Sequence, residues 1–339
     1  MELTNSPLMN IDIKKVDDDS LCISKKKYRK SYRYFDEEEK QITDKKLLRR
    51  FKKLIIPPMW SDVSICKWPD GHIQATGRDA KGRKQYIYHS KYEQYRQEEK
   101  FKKMLSFGKE LPKIRKANAK HIQSKEWSRE KITALVVMIL DETGVRIGNK
   151  QYADRNGTYG LTTLRRKHIN IEKRSVSFDY KGKSKQERHV EIDDPFLIKL
   201  IKKSSELPGY ELFRYQDKND KWQSVDSDEI NQWIREHMGE DFSSKDFRTW
   251  VASRLAIELY PDAMRVKKEA PRKKFTNILL RLVADELGNT PTVCRSYYIH
   301  PSILDLISSK SITWTNSNNN DDPMKLSSSE KYLLKCLKS

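Results

Sequence analysis

Two adjacent tyrosines stand in the run Val293-Cys294-Arg295-Ser296-Tyr297-Tyr298-Ile299-His300-Pro301, a short basic segment just beyond a helix stop at Gly288. Upstream, three segments place cations where the chain turns. Thr143-Gly144-Val145-Arg146-Ile147-Gly148-Asn149 and Lys245-Asp246-Phe247-Arg248-Thr249-Trp250 each offer an arginine at a helix boundary, and Phe178-Asp179-Tyr180-Lys181-Gly182-Lys183 offers a lysine on a hairpin. Asn289 adds a polar side chain after Gly288. In chain order, Arg, Lys, Arg, a polar residue and Tyr are what a tyrosine needs to attack a phosphodiester without a metal. A free tyrosine, with a pKa of about 10, is a weak nucleophile at neutral pH, and the phosphodiester carries a charge that repels it. Cations answer both problems. The planar arginine fork can hold two non-bridging oxygens and stabilise added transition-state charge, which suits Arg146 and Arg248. A lysine can give up its proton and so serve as general acid to the departing oxygen.

Each assignment has a plainer rival. Arg146 could complement a helix dipole or pair with Asp141. Asn289 could be only a cap, and it can donate a hydrogen bond but neither carries charge nor acts as an acid. Lys181 competes with Lys183. On a helix Val293 and Tyr297 lie one turn apart and share a face, so Tyr297 is expected to pack on the core while Tyr298 points about 100° away.

The elements that must position these residues can be read from pattern. Ser128 precedes the nearly all-apolar run Ile132–Leu140 and Gly144 marks its stop, a buried helix that delivers Arg146 at its exit. Tyr159–Leu164, His168–Ile171, Val176–Phe178 and His189–Ile192 read as short strands, the last two flanking the lysine turn. Beyond 195 the chain reads as helices at roughly 195–206, 227–238, 246–259, 271–287 and 292–307. Before the catalytic segments, a helix headed by Thr43 ends before Pro57-Pro58. Alternating runs Val63–Cys66, His72–Ala75 and Gln85–Tyr88 then suggest a small β-rich domain. Residues 1–20 read as a mobile tail, 21–91 as that β-rich domain, 92–120 as a helical linker, 121–310 as the catalytic domain, and 311–339 as a linker opening on Asn316 and ending in a short helix.

Lys and Arg total 68 against 48 Asp and Glu, a net charge of +20, which calls for a polyanionic partner bound through its phosphates. No run of 18 apolar residues suggests a membrane span, and no leader is recognisable. Cys22, Cys66, Cys294 and Cys336 lack paired spacing, which points away from zinc or a disulfide framework and toward a reducing, intracellular location. No compact carboxylate or histidine cluster offers a two-metal site.

The four segments together resemble small type IB DNA topoisomerases, of the kind found in poxviruses, mimivirus-like giant viruses and some bacteria. Tyr159-Gly160-Leu161-Thr162-Thr163-Leu164-Arg165-Arg166-Lys167-His168-Ile169 is similar to the region after the family's first catalytic arginine, and Lys-Asp-x-Arg-Thr-aromatic around Arg248 is a close match. The family's aromatic-x-Gly-Lys hairpin, here with one residue inserted, favours Lys183. Asn289 stands where poxvirus and cellular enzymes carry histidine and bacterial-type members carry asparagine; nine residues onward lies Tyr298. The resemblance implies an α+β fold with a β-rich N-terminal domain and a mainly helical catalytic domain, closing as a clamp on duplex DNA. It implies Tyr298, Arg146, Lys183, Arg248 and Asn289 as catalytic residues, a 3′-phosphotyrosine intermediate, and relaxation of supercoils by a monomer with neither ATP nor metal. Gln74, Arg78, Arg83 and Lys84 in the N-terminal domain, with Lys245, are the expected DNA contacts. The nearest alternative is a tyrosine recombinase, in which His generally occupies the place of Lys245; a non-catalytic DNA-binding protein is a further one.

Overall fold

The computed structural model describes residues 12–315 and 322–338. It divides into two compact units, Met1–Lys100 and Phe101–Ser339.

In the first unit, strands β1 (Ile23–Tyr28) and β2 (Ser31–Phe35) precede helix α1 (Lys45–Lys53), followed by β3 (Ser61–Ile65), β4 (Ile73–Arg78) and β5 (Lys84–Tyr88). They form one antiparallel sheet in the order β2-β1-β3-β4-β5. Phe51 of α1 packs with Tyr34, Val63, Ile65 and Ala75 to make its core. Asp44 rather than Thr43 caps α1, accepting from the backbone of Lys46 and Leu47. The β1–β2 hairpin escapes sequence reading because Lys25-Lys26-Lys27 breaks any apolar alternation; only Ile23 and Tyr34 of its strands are buried. Of the expected mobile tail, residues 1–11 lie outside the described residues. Residues 12–20 are packed down: Ile13 and Val16 are buried, Lys14 bridges Gly71, and the Val16 amide donates to His72 Nδ1 at 3.1 Å.

Helix α2 (Ser90–His121) runs from the first unit into the second. Helix α3 (Arg129–Thr143) follows, capped by Ser128 and stopped by Gly144 at φ 59°. Its Ile132, Leu135 and Ile139 are fully buried, each contributing about 1.5–3 kcal/mol relative to exposure. After the short α4 (Lys150–Asn156), strands β6 (Ile169–Ile171), β7 (Val176–Lys181) and β8 (Glu187–Ile192) form an antiparallel sheet in that order. Helix α5 (Pro195–Ser205), the ribbon β9 (Arg214–Gln216) and β10 (Trp222–Ser224), and helices α6 (Ser227–Met238), α7 (Ser244–Glu258), α8 (Tyr260–Glu269) and α9 (Phe275–Leu287) complete the body. Then come α10 (Pro291–Val293), α11 (Pro301–Ser308) and α12 (Ser328–Cys336). One hydrophobic core runs through this unit, with Trp250, Phe107 and Phe247 among its largest fully buried side chains.

Two expectations fail here. Tyr159–Leu164 is no strand: its middle is the 3₁₀ turn Leu161–Thr163, where Thr163 Oγ1 takes the Gly160 amide at 3.0 Å. The helix expected over 292–307 is broken. Residues Cys294–Tyr298 form a π turn closed by Ile299 N to Cys294 O at 3.0 Å, and Ile299 is extended ahead of Pro301. Proline cannot donate into the helix ladder, so α11 starts afresh there with His300 as its cap. The Asn316 linker lies outside the described residues. No helix among the described residues is long and apolar enough to cross a membrane.

Candidate active site

Three arginines converge on the C-terminus of α9. A helix end leaves its last four carbonyls without intrahelical partners, and their dipoles favour cations. Arg188 donates to Asp285 O at 3.2 Å and Glu286 O at 2.9 Å, Arg248 donates to Leu287 O, and Arg146 donates to Gly288 O at 3.2 Å. Arg146 also donates to Asn289 Oδ1 at 2.6 Å. Gly288, at φ 58°, ends the helix as glycine can without strain. The Asn289 amide returns to Ala284 O at 2.9 Å, so Asn289 is held beside the arginine it orients.

The other supports are equally local. Gly144 ends α3 and its carbonyl takes Arg248 Nη1 at 2.5 Å, so the exit of the buried helix holds one arginine and leads to the next. The 3₁₀ turn pins Arg146 from the far side, Leu161 N donating to Arg146 O at 2.9 Å and Thr162 N to Ile147 O at 2.7 Å. A side chain at Gly160 would place its Cβ 2.5 Å from the Gly148 backbone, which explains glycine at that crossing. The lysine turn joins β7 to β8, with Ser184 and Lys185 both left-handed at φ 64° and 59°.

Together these elements line a small open cleft that Arg146, Lys183, Arg188 and Arg248 share with Tyr159 and Tyr180. Arg248 is 4% exposed. Burial, then the neighbouring Arg146, pulls its guanidinium down to about 10, which still leaves it cationic at neutral pH. Its Nε is buried with no hydrogen-bond partner, while Asn289 Nδ2, also buried, has the weak acceptor Cys294 Sγ beside it. Neither donor meets a strong acceptor, an arrangement that costs stability unless one arrives. The Arg248 guanidinium lies 5.2 Å from the centre of the Tyr298 ring. Beneath them Cys294 is fully buried, and burial pushes its thiol up to about 11, so it stays protonated. His168, buried against Tyr159 at 4.4 Å between ring centres, is pushed down to about 4 and is neutral at pH 7.

The π turn settles which tyrosine faces inward, and it reverses the helical expectation. Tyr297 is 46% exposed, while Tyr298 packs partly buried against the core. One extra residue in the turn rotates the second tyrosine toward Arg248. Of the two candidate lysines, Lys183 lines the cleft, whereas Lys181 sits on β7 with Glu187 at 3.6 Å. Arg146, Lys183, Arg248, Asn289 and Tyr298 are therefore brought to one locality of the second unit.

The expected DNA contacts are less uniform. Gln74 is buried, its amide nitrogen donating to Trp68 O, Pro69 O and Gly71 O at 3.2, 3.1 and 2.7 Å, so it locks a turn and presents nothing to a ligand. Arg78 donates to Gly82 O at 2.9 Å, Arg83 pairs with Asp79 at 2.6 Å, and Lys84 pairs with Asp18; all three are substantially exposed. Lys245 is exposed on the first turn of α7. Arg188 is a cleft residue that sequence reasoning missed: its one signal was a place five residues beyond Lys183 on the hairpin, and nothing local marks it.

Two family models match the chain: "Eukaryotic DNA topoisomerase I, catalytic core" over residues 89–320 and "Bacterial DNA topoisomerase IB, N-terminal domain" over residues 31–79. DNA topoisomerase 1B of Acanthamoeba polyphaga mimivirus is 33% identical over 315 residues, spanning 91% of each protein. DNA topoisomerase 1B of Vaccinia virus (strain Copenhagen) is 25% identical, over 75% of this chain and 80% of its own. Among solved structures, the XerH site-specific recombinase bound to a palindromic difH substrate covers 60% of this chain and 50% of its own at 18% identity and a TM-score of 0.38, too remote to weigh in the choice.

Proposed function

The chain belongs to the type IB DNA topoisomerases, and from that premise we propose that Tyr298 is its nucleophile and that Arg146, Lys183, Arg248 and Asn289 carry the chemistry. Tyr298 Oη attacks the phosphorus of one strand, forming a 3′ phosphotyrosine bond as the bond from phosphorus to O5′ breaks. The electron pair leaves on O5′, which takes a proton from Lys183 Nζ; the tyrosine proton passes to water. Arg146 and Arg248 bind the non-bridging oxygens, and Asn289 Nδ2 and Arg248 Nε, neither of which meets a strong acceptor in the protein, donate to them as well. After the free end swivels, the 5′ hydroxyl attacks the phosphotyrosine, returns its proton to Lys183 and expels Tyr298 as a phenolate, which regains its proton from water. The phosphotyrosine linkage conserves the energy of the broken bond, so no ATP is consumed. Arg78, Arg83, Lys84 and Lys245 contact backbone phosphates of the duplex, which one copy of the chain binds.

The observation that carries this reading is the Arg248 guanidinium, lining the same cleft as Arg146 and Lys183 and lying over the ring of Tyr298 at 5.2 Å. Plasmid relaxation with EDTA present and ATP absent tests it. Wild type is expected to relax the plasmid and Tyr298→Phe to bind duplex DNA without relaxing it. Retained relaxation in Tyr298→Phe, with loss in Tyr297→Phe, would transfer the role to the other tyrosine.

A further inference from the structure

Arg188 is the cleft cation without a part in the chemistry above. It stands on β8 directly across from Tyr180 on β7, at the base of the turn that carries Lys183. Its stem lies over Gly182, where an added Cβ would come within 2.9 Å of Arg188 Cγ. Its guanidinium lies against Gly288, where an added Cβ would fall 1.9 Å from Cζ. The residue after the first glycine is Lys183 and the residue after the second is Asn289. Two of its hydrogen bonds go to α9 carbonyls just ahead of that second glycine, Asp285 O and Glu286 O, and it also meets the Tyr180 hydroxyl. One side chain thus spans from the lysine turn to the asparagine turn, and both glycines are small where it passes.

We propose that Arg188 is a positioning residue: it ties the Lys183 hairpin to the end of α9, fixing Lys183 Nζ relative to the phosphate held by Arg146 and Arg248. The inference rests on the reading of Lys183 as general acid. The turn needs such a tie. Tyr159 N donates to Lys181 O at 2.7 Å and so holds the β7 end of the hairpin, but Lys183 is exposed, the two residues after it are left-handed, and the Gly182 to Gln186 backbone hydrogen bond at 2.8 Å closes the turn only on itself. The planar fork of arginine holds two carbonyls at a fixed spacing and orientation, which the single, freely rotating ammonium of a lysine does not reproduce. Carbonyls of a helix C-terminus are also fixed acceptors, so the tie is to a rigid body.

The test is single-turnover cleavage of duplexes with oxygen or sulfur at the 5′ bridging position of the scissile phosphate, using Arg188→Met, Arg188→Lys, Lys183→Ala and the Arg188→Met/Lys183→Ala double variant. A sulfur leaving group needs no proton, so it reads the acid separately from phosphate binding. Arg188→Met and Arg188→Lys are each expected to slow the oxygen substrate by about 10- to 100-fold, the scale of a misplaced catalytic group. On the sulfur substrate both are expected to run near the wild-type rate, and Arg188→Met is expected to add no further defect on top of Lys183→Ala. Equal slowing on oxygen and sulfur, or a full additional loss in the double variant, would overturn the proposal, because Arg188 would then act on the phosphate or the fold and not through the lysine. Wild-type rates on oxygen in both Arg188 variants would overturn it too. If Lys183→Ala itself gains nothing from sulfur, the reading of Lys183 fails and the inference fails with it; if Lys183→Ala is rescued and Arg188→Met is not, only the inference fails.

Discussion

At the scale of single residues, the site is a set of arginines held by backbone carbonyls, which makes their charge available to a phosphate. Arg146, Arg188 and Arg248 pair with carbonyl dipoles and not with carboxylates among the contacts of the described residues, so no full negative charge is buried with them. Arg146→Ala and Arg248→Ala are each expected to slow cleavage by at least about 100-fold, as for removal of one transition-state charge contact, with lysine rescuing poorly. Single-turnover cleavage of a labelled duplex measures this, and near wild-type rates in either variant would remove that arginine from the site. Arg146 and Arg248 were legible in the sequence because glycine stops and a capped helix start flank them. That Lys183 and not Lys181 lines the cleft was legible through the glycine before it. Spacing from Asn289 points to Tyr298, but the face it takes was illegible: a π turn inserts one residue per turn, and neither composition nor period betrays it. Arg188 was illegible because its importance comes from register, opposite Tyr180, and from the distant end of α9.

At the scale of elements, α12 locks the helices that frame the site. Glu330, fully buried on α12, accepts from Arg115 Nη1 and Nη2 at 2.9 and 2.7 Å and from Trp250 Nε1 at 2.9 Å, and Arg115 in turn donates to Asp141 of α3 at 2.7 Å. Helices α2, α3, α7 and α12 thus meet at one buried ion network. Despite desolvation, Arg115 holds the Glu330 carboxyl down to about 2, against the usual 4.5. A depressed carboxyl contributes stability above its unfolded pKa and loses it as pH falls through the folded one, so this contribution is expected to vanish between about pH 4.5 and about pH 2. Glu330→Gln should cost about 3–5 kcal/mol in urea unfolding at pH 7 and flatten the acid limb of the stability profile. An unchanged limb would show that the network does not bear on stability. In the first unit, the segment before β1 sets Asp18 on two side chains of β5, Lys84 and Tyr86, the latter at 2.9 Å. A phosphate that recruits Lys84 must displace that carboxylate, so Asp18→Asn is expected to tighten duplex binding in low-salt titrations; weaker or unchanged binding would detach Lys84 from the DNA surface. Helix stops such as Gly144 and Gly288 were legible, while the β1–β2 hairpin was hidden by lysines that only its partner strands explain.

At the scale of the whole chain, an excess of 20 positive charges fits a protein whose partner is DNA, and two topoisomerase family models follow one another along the sequence, an N-terminal domain over residues 31–79 and a catalytic core over residues 89–320. Charge and class were legible from composition and four short segments, because a metal-free attack on a phosphodiester demands a particular set of cations. What composition could not supply was the device that gathers them, the end of one helix whose last carbonyls are shared among three arginines. The central claim, that Tyr298 becomes covalently joined to the 3′ end of a nicked strand, is tested most directly by trapping. A duplex whose short 5′ leaving fragment dissociates after cleavage would strand the intermediate, and mass spectrometry of the digested adduct would locate the nucleotide. The expected result is a nucleotide-bearing peptide modified at Tyr298 and absent from Tyr298→Phe; a modification at Tyr297, or strand cleavage with no protein adduct, would contradict the claim.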